Sequence, residues 1–173
     1  IDQANAIINK FLDYARPDQV NLAPIALVEV VNRCVYALKD ASDIRLNIAV
    51  PDNLMVLADE VDLIRAVSNL LENACRYGRS AGNGMAEIDI IALANGSHVA
   101  IEVRDRGPGV SADNLGQLTK AFFRGDSART EATGAGLGLS IVEKNIQRMG
   151  GALELHNRTS GGLSARIELN RVT

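Results

Sequence analysis

The chain has 173 residues, 47% of them apolar and 23% charged, with a net charge of −3. That suffices for one sizeable domain with an aliphatic core, since aromatics are 3% and Trp is absent. The acidic balance argues against non-specific nucleic-acid binding, and no apolar run approaches the about 20 residues of a membrane span.

The chain opens on Ile1, without Met and without a signal-peptide pattern, and so reads as a piece of a longer protein. Residues 1–15 carry Ile7, Ile8, Phe11, Leu12 and Ala15 on one helical stripe, and Pro17 stops the helix. This stripe has no partner within its own stretch and suits the tail of a helical hairpin. Residues 20–22 suit a short strand. Pro24 suits a helix start, and 25–39 repeats apolar residues at helical spacing. Ile44, Leu46, Ile48 and Val50 alternate with Arg45, Asn47 and Ala49, the pattern of a half-buried strand. Pro51-Asp52-Asn53 turns the chain, and 54–57 is expected to pair back on that strand.

A long helix follows. Asp59 is its expected N-cap, with Asp62 in the capping-box position. Leu63, Val67, Leu70, Ala74 and Tyr77 share one face. Asp62, Arg65, Asn69, Glu72, Asn73 and Arg76 fall on the other. From this segment alone a solvated helix face is as good a reading as a site. Asn is a poor residue inside a helix, because its amide competes for backbone hydrogen bonds. Asn69 and Asn73, one turn apart, can offer neutral oxygens to a hard cation, and Arg76 can reach phosphate oxygens.

Residues 78–84 form a Gly- and Ser-containing loop. Strands at 86–93 and 99–104 are joined through Asn95-Gly96, a hairpin signal. Asp105-Arg106-Gly107-Pro108-Gly109 is a tight turn, followed by a short helix at 112–118. Residues 122–135 are polar and Gly-containing and suit a loop. A helix over 137–149 closes at Gly150-Gly151, and 152–156 with 163–169 makes a final hairpin. Cys34 and Cys75 lie far apart in apolar helical patterns, and read as buried free thiols rather than a disulfide or zinc site. The expected fold is a two-layer α/β (α+β) sandwich: one mixed sheet, helices on one face, the other face open.

Three segments carry chemistry besides the Asn helix. Asp105 at a strand end is a good acceptor for an exocyclic amino group such as that of adenine, and Gly107 and Gly109 allow close backbone approach. An ordinary tight turn explains D-x-G-x-G equally well. Gly134-Ala135-Gly136-Leu137-Gly138-Leu139-Ser140 opens a helix whose N–H groups can cradle phosphate. A flexible hinge explains it equally well. The order is the stronger signal: cation ligand, base acceptor, loop and phosphate nest are the parts of an ATP site.

These segments resemble the N box (69–77), G1 box (105–109), F box (Phe122, Phe123) and G2 box (134–139) of sensor histidine kinases. Phe123-Arg124-Gly125-Asp126-Ser127-Ala128-Arg129-Thr130 looks most like the EnvZ-type osmosensor kinases, and Asn5 to Tyr14 is similar to the end of that group's dimerisation hairpin. The resemblance implies a Bergerat ATP-binding fold over 17–173, with 1–16 as the end of a dimerisation and phosphoacceptor hairpin. It implies ATP and Mg²⁺ as cofactors. Asn73 would ligate the metal and Asn69 support it, while Arg76 and Tyr77 line the phosphate and adenine sides. Asp105, Gly107 and Gly109 would receive the base. Arg124 and Gly125 would lie in a lid, and Ala135, Gly136, Leu137, Gly138 and Leu139 would wrap the phosphates. Glu72 either polarises the nucleophile or is a solvated helix residue. The lid ahead of Gly134 departs from close relatives in being slightly longer.

The expected activity is transfer of the ATP γ-phosphoryl to a His on the hairpin, for relay to an OmpR-like response regulator. An ATPase of the same fold carries a Glu at the position of Asn69, and an amide cannot act as a general base. A nucleotide-binding module without transfer is the other alternative. Neither His98 nor His156 stands in the His-Glu-x-x-[ST]-Pro context of an acceptor, so the acceptor is expected upstream. The resemblance further implies a homodimeric parent in the bacterial inner membrane, with this part soluble on the cytoplasmic side, and no nucleic-acid partner.

Overall fold

A computed structural model describes residues 8, 19–38, 41–120 and 138–172. The helix expected over 1–15, apart from residue 8, which is helical, the proposed domain split at 16, and the loop expected over 122–135 fall outside these residues.

The fold is built on a five-stranded mixed sheet. In chain order the strands are β2 (Ile44–Ala49), β4 (Ala86–Asn95), β5 (His98–Arg104), β6 (Ala152–Asn157) and β7 (Leu163–Asn170), arranged β2-β4-β5-β7-β6. Only β2 and β4 run parallel. A separate antiparallel pair is formed by β1 (Ala23–Ala26) and β3 (Met55–Ala58). Four helices complete the described chain: α1 (Leu27–Tyr36), α2 (Glu60–Tyr77), α3 (Ala112–Leu115) and α4 (Gly138–Arg148).

The sheet has one dry face. Ile88, Ile90, Val99, Ile101, Val103, Ala165, Ile167 and Leu169 point toward the helices and are buried. Leu27, Val31, Leu63, Val67, Leu70, Leu71, Val142 and Ile146 meet them from α1, α2 and α4. Burying a side chain of this kind contributes about 1.5–3 kcal/mol, so the core is aliphatic, as the composition requires. The opposite face is a lattice of charges. Arg106 reaches Glu87 at 3.1 Å and Asp89 at 3.4 Å, and Arg166 lies between Glu102 at 3.9 Å and Glu168 at 3.2 Å. Arg104 also bonds Glu102. His98 and His156 sit on this face, beside Glu168 and Glu154. The expected sandwich with one open sheet face is therefore present.

Several local expectations need correction. The strand expected at 20–22 lies at Ala23–Ala26, and Pro24 is inside it rather than at a helix start. Pro is tolerated there because β1 is an edge strand of a two-stranded sheet. β3 does not pair back on β2. It pairs with β1, while β2 runs parallel to β4. A parallel pair needs a long crossover, which β3 and α2 supply, and a turn signal cannot reveal that. The β4–β5 turn centres on Gly96 and Ser97, with Asn95 opposite His98 in the register and Gly96 at φ +63°. Finally, Asp62 does not belong to the polar face of α2. It is fully buried, with Arg148 Nη1 of α4 at 4.0 Å. Cys75 is half-buried rather than buried, and both thiols are free.

Candidate functional site

The Asn helix starts as expected. Asp59 Oδ1 accepts from the Asp62 backbone N–H at 3.1 Å, which satisfies one of the open donors of the first turn. Asp59 Oδ2 also accepts from the Asn21 N–H at 2.9 Å, so the cap fixes the incoming chain. Leu63, Ala66, Val67, Leu70, Leu71 and Ala74 hold α2 on the sheet. That burial sets the rotation of the helix and turns Asn69 and Asn73 away from the core. Both are half-buried, and neither amide has a hydrogen-bond partner among the described residues. Glu72 and Arg76 are exposed and Tyr77 half-buried.

Asn73 faces the start of α4. A Cβ built on Gly138 would stand 3.7 Å from Asn73 Oδ1 and 3.8 Å from Nδ2. The start of the described part of α4 therefore lies beside the Asn73 amide. Leu139 packs its side chain on the core. α4 ends in a closed cap: the Gly150 N–H bonds to Gln147 O, and the Gly151 N–H to Ile146 O, with Gly150 at φ +77°. Arg124, Gly125, Ala135, Gly136 and Leu137 lie outside the described residues.

Asp105 stands at the end of β5 and is 7% exposed. Its Oδ1 accepts from the Gly107 N–H at 3.1 Å and the Leu163 N–H at 2.9 Å. Among the described residues Oδ2 accepts no bond, so one carboxylate oxygen is left for a ligand. Three backbones crowd around this side chain. A Cβ on Gly78, just past α2, would lie 2.4 Å from Asp105 Cβ. A Cβ on Gly107 would lie 2.6 Å from Gly78 Cα and 2.9 Å from Tyr77 O. A Cβ on Gly162, in the β6–β7 turn, would lie 2.1 Å from Asp105 O. Only glycine fits these positions. Gly109 has φ +72°, and there a Cβ would meet Asn157 Oδ1 at 2.7 Å.

The structure thus brings Asp105, Gly107 and Tyr77 together at one end of α2, and Asn73 and Gly138 one turn earlier. The sequence reading singled out Asp105, Gly107 and Gly109 but missed Gly78, Gly162, Asn157 and Arg158. A Gly directly after a helix, and a Gly pair in a hairpin, look like ordinary caps and turns in sequence. Only the contact with Asp105 gives them another meaning.

On the sheet's outer face, burial would raise the Asp89 carboxyl. The hydrogen bonds from Asn47 and Arg106, with the charges of Arg106 and Arg158, outweigh it and hold Asp89 below the ordinary carboxylate value. Arg106 is thereby tied to the sheet while its neighbour Asp105 faces inward.

Residues 58–173 match the family model described as "Histidine kinase-, DNA gyrase B-, and HSP90-like ATPase". The signal transduction histidine-protein kinase/phosphatase MprB of Mycolicibacterium vanbaalenii is 32% identical over 168 residues, covering 94% of this chain and 33% of that protein. Among solved structures, a mycobacterial sensor histidine kinase MprB superposes with a TM-score of 0.73 at 25% identity, over 87% of this chain and 98% of that one. Full-length ShkA in complex with AMPPNP superposes with a TM-score of 0.80 at 26% identity, over 99% of this chain and 36% of that one. The chain spans about a third of the length of the curated relatives it matches. With this fold, the Asn-bearing α2, the strand-end Asp105 and the match over 58–173, the chain belongs to the family of histidine kinase-, DNA gyrase B- and HSP90-like ATPases, as an ATP-binding domain of the sensor histidine kinase type.

Proposed function

We propose that this domain binds ATP with Mg²⁺ and passes the γ-phosphoryl to a histidine carried on a dimerisation hairpin. The observation that carries the reading is Asp105: a nearly buried carboxylate with both backbone bonds on Oδ1 and none on Oδ2. A lone acceptor oxygen held this way suits the amino group of adenine and repels the carbonyl oxygen that guanine carries at the same edge. Gly78, Gly107 and Gly162 would let the base lie close to the backbone.

From the base the phosphates would run along α2 toward Asn73 and the first turn of α4. The α4 amides offer hydrogen bonds and a partial positive charge to phosphate oxygens. Arg76, exposed one turn beyond Asn73, would add a full charge. The donor set fits magnesium: one neutral amide oxygen from Asn73, with the remaining positions left to water and phosphate, is how Mg²⁺ is commonly held. Asn69 would orient that amide or its water. Bound Mg²⁺ would neutralise charge on the phosphates. Arg124, Gly125 and the segment Ala135–Leu139 would close over the triphosphate.

Glu72, exposed on the same helix, would polarise the incoming imidazole. Asn69 cannot abstract a proton from water, which favours transfer over hydrolysis. His98 and His156 lie on the sheet's outer face beside Glu168 and Glu154, which supports an acceptor outside this domain. The same reading makes the parent a homodimeric, membrane-anchored sensor with this domain on the cytoplasmic side, relaying to an OmpR-like response regulator. Among the described residues no helix is long and apolar enough to cross a membrane.

The test combines calorimetry and transfer. Mg²⁺-ATP should bind the 173-residue chain. Asp105→Asn should weaken ATP by about ten- to a hundredfold, the loss of a charge-assisted bond of ~1.5–3 kcal/mol, and narrow its advantage over GTP. Radiolabelled ATP should label a separately supplied dimerisation hairpin from the same parent, and not the chain alone. Absence of nucleotide binding, or acid-labile label on His98 or His156, would overturn the proposal.

A further inference from the structure

The β6–β7 turn does more than join two strands. Arg158 N–H bonds to Gly162 O at 2.8 Å and the Gly161 N–H to Arg158 O at 3.1 Å, closing a compact loop with Gly161 at φ +101° and Gly162 at φ +95°. From this loop the half-buried Arg158 sends Nη1 to the backbone carbonyl of Asp105, at 2.7 Å. The neighbouring Asn157 holds both polar backbone atoms of Val110. Its Oδ1 accepts from the Val110 N–H at 2.9 Å, and its Nδ2 donates to Val110 O at 2.5 Å. The two side chains thus grip the two ends of the Asp105–Val110 turn. Between them Gly162 lies against the Asp105 carbonyl with no room for a Cβ.

The arrangement is specific in its chemistry. The Asp105 N–H already bonds to Leu163 O at 3.0 Å as β5 continues along β7. Its carbonyl, one residue past the strand, is satisfied by a charged donor instead of the sheet. A guanidinium there fixes the peptide plane that follows Asp105, and so the direction in which the Asp105 side chain leaves the backbone. We infer that Arg158, with Asn157, is a positioning residue for the nucleobase: it holds the Asp105–Val110 turn so that Asp105 Oδ2 meets the adenine amino group. The inference rests on the adenine-binding role of Asp105 proposed above.

A purely structural contact would affect stability alone, whereas a positioning contact changes base affinity and base choice. The probes are ATP, adenosine and GTP, titrated into the 173-residue chain by calorimetry, with thermal melting alongside. Arg158→Met keeps the stem and removes the donors; Arg158→Lys keeps a charge within reach of the carbonyl. Arg158→Met should weaken ATP and adenosine alike by about five- to tenfold, the size of one lost hydrogen bond, and narrow the ATP-to-GTP ratio. The Mg²⁺ concentration that half-saturates ATP binding should stay within twofold. Arg158→Lys should recover most of the loss. Asn157→Ala, which spares Arg158, should shift adenosine affinity in the same direction.

If the wild-type chain binds ATP, and Arg158→Met binds ATP and adenosine within twofold of it, the inference is overturned while the adenine role of Asp105 stands. A lower melting temperature with unchanged base preference overturns it equally. If Asp105→Asn leaves adenosine affinity unchanged, the parent reading of Asp105 fails, and this inference fails with it.

Discussion

Gly78 and Asp105 are packed so closely that a Cβ on Gly78 would lie 2.4 Å from the Cβ of Asp105 and 2.5 Å from its Cγ. Gly78 is the residue at which α2 stops, its N–H bonded to Ala74 O at 2.9 Å. The end of the Asn helix is therefore packed directly against the Asp105 carboxylate. Gly78→Ala should cost ~1–3 kcal/mol of stability by overpacking. It should also displace Asp105, so that adenosine affinity falls at temperatures where the variant is fully folded. Chemical denaturation and calorimetry on the same sample check both. Wild-type adenosine affinity in the folded variant would show that the contact does not set Asp105.

Substitution of Asn73 is the test of its proposed metal role. Asn73→Ala should reduce the affinity gained on adding Mg²⁺ to ATP by about tenfold, ~1.4 kcal/mol, and leave adenosine affinity unchanged. Titrations of ATP with and without Mg²⁺, and of adenosine, give the comparison. Equal losses for adenosine and Mg²⁺-ATP would assign Asn73 to packing.

Asp89 predicts a pH dependence. Burial works against its charge, but Asn47 Nδ2 at 2.9 Å and Arg106 Nη2 at 3.4 Å hold the carboxyl below its ordinary value. A group with a depressed folded-state pKa adds stability above its unfolded value of about 3.9, and loses it as pH falls through the folded value. Asp89→Asn should therefore be less stable than wild type at pH 7, and the gap should close on acidification below about pH 4. Urea melts at several pH values measure it. A constant gap would mean that Asp89 acts through shape alone.

The thiols predict a chemical signature. Burial pushes Cys75 up; the charge of Arg79 pulls it down, while Asp43 and Glu72 add to the rise. Burial also raises Cys34, against the Ser68 hydroxyl, which donates to its sulfur at 3.3 Å, and the charge of Arg33. The thiolate is the reactive form, so iodoacetamide should modify the folded chain slowly at neutral pH, with both midpoints above the ordinary thiol value of about 8.5. Mass spectrometry against a urea-unfolded control reads each site. Equal rates in the folded and unfolded chain would contradict this.

Much of the fold could be read along the chain. The apolar stripe of α2, its Asp59 cap, the alternation in β4, β5 and β7 and the Gly150 stop of α4 are local patterns, and each forms where the sequence places it. The chemistry-bearing residues Asn73, Asp105 and Gly138 were equally visible, because their types are costly or unusual where they occur.

Local sequence patterns settled most of the elements and the order of the chemical segments. Those follow from the helical and strand periods and from cap and turn chemistry, which act over a few residues. The tertiary structure alone decided how distant segments meet. It paired β2 with β4 instead of β3, because an edge can be filled by any strand that the crossover delivers. It buried Asp62 beside Arg148, because packing α4 on α2 left Asp62 no exposure and the Arg148 side chain almost none. It also drew Gly78, Gly162 and Arg158 around Asp105 and Asn157 onto Val110 at the far end of the same turn. Those contacts depend on which backbones can approach within van der Waals reach, a condition no local pattern contains.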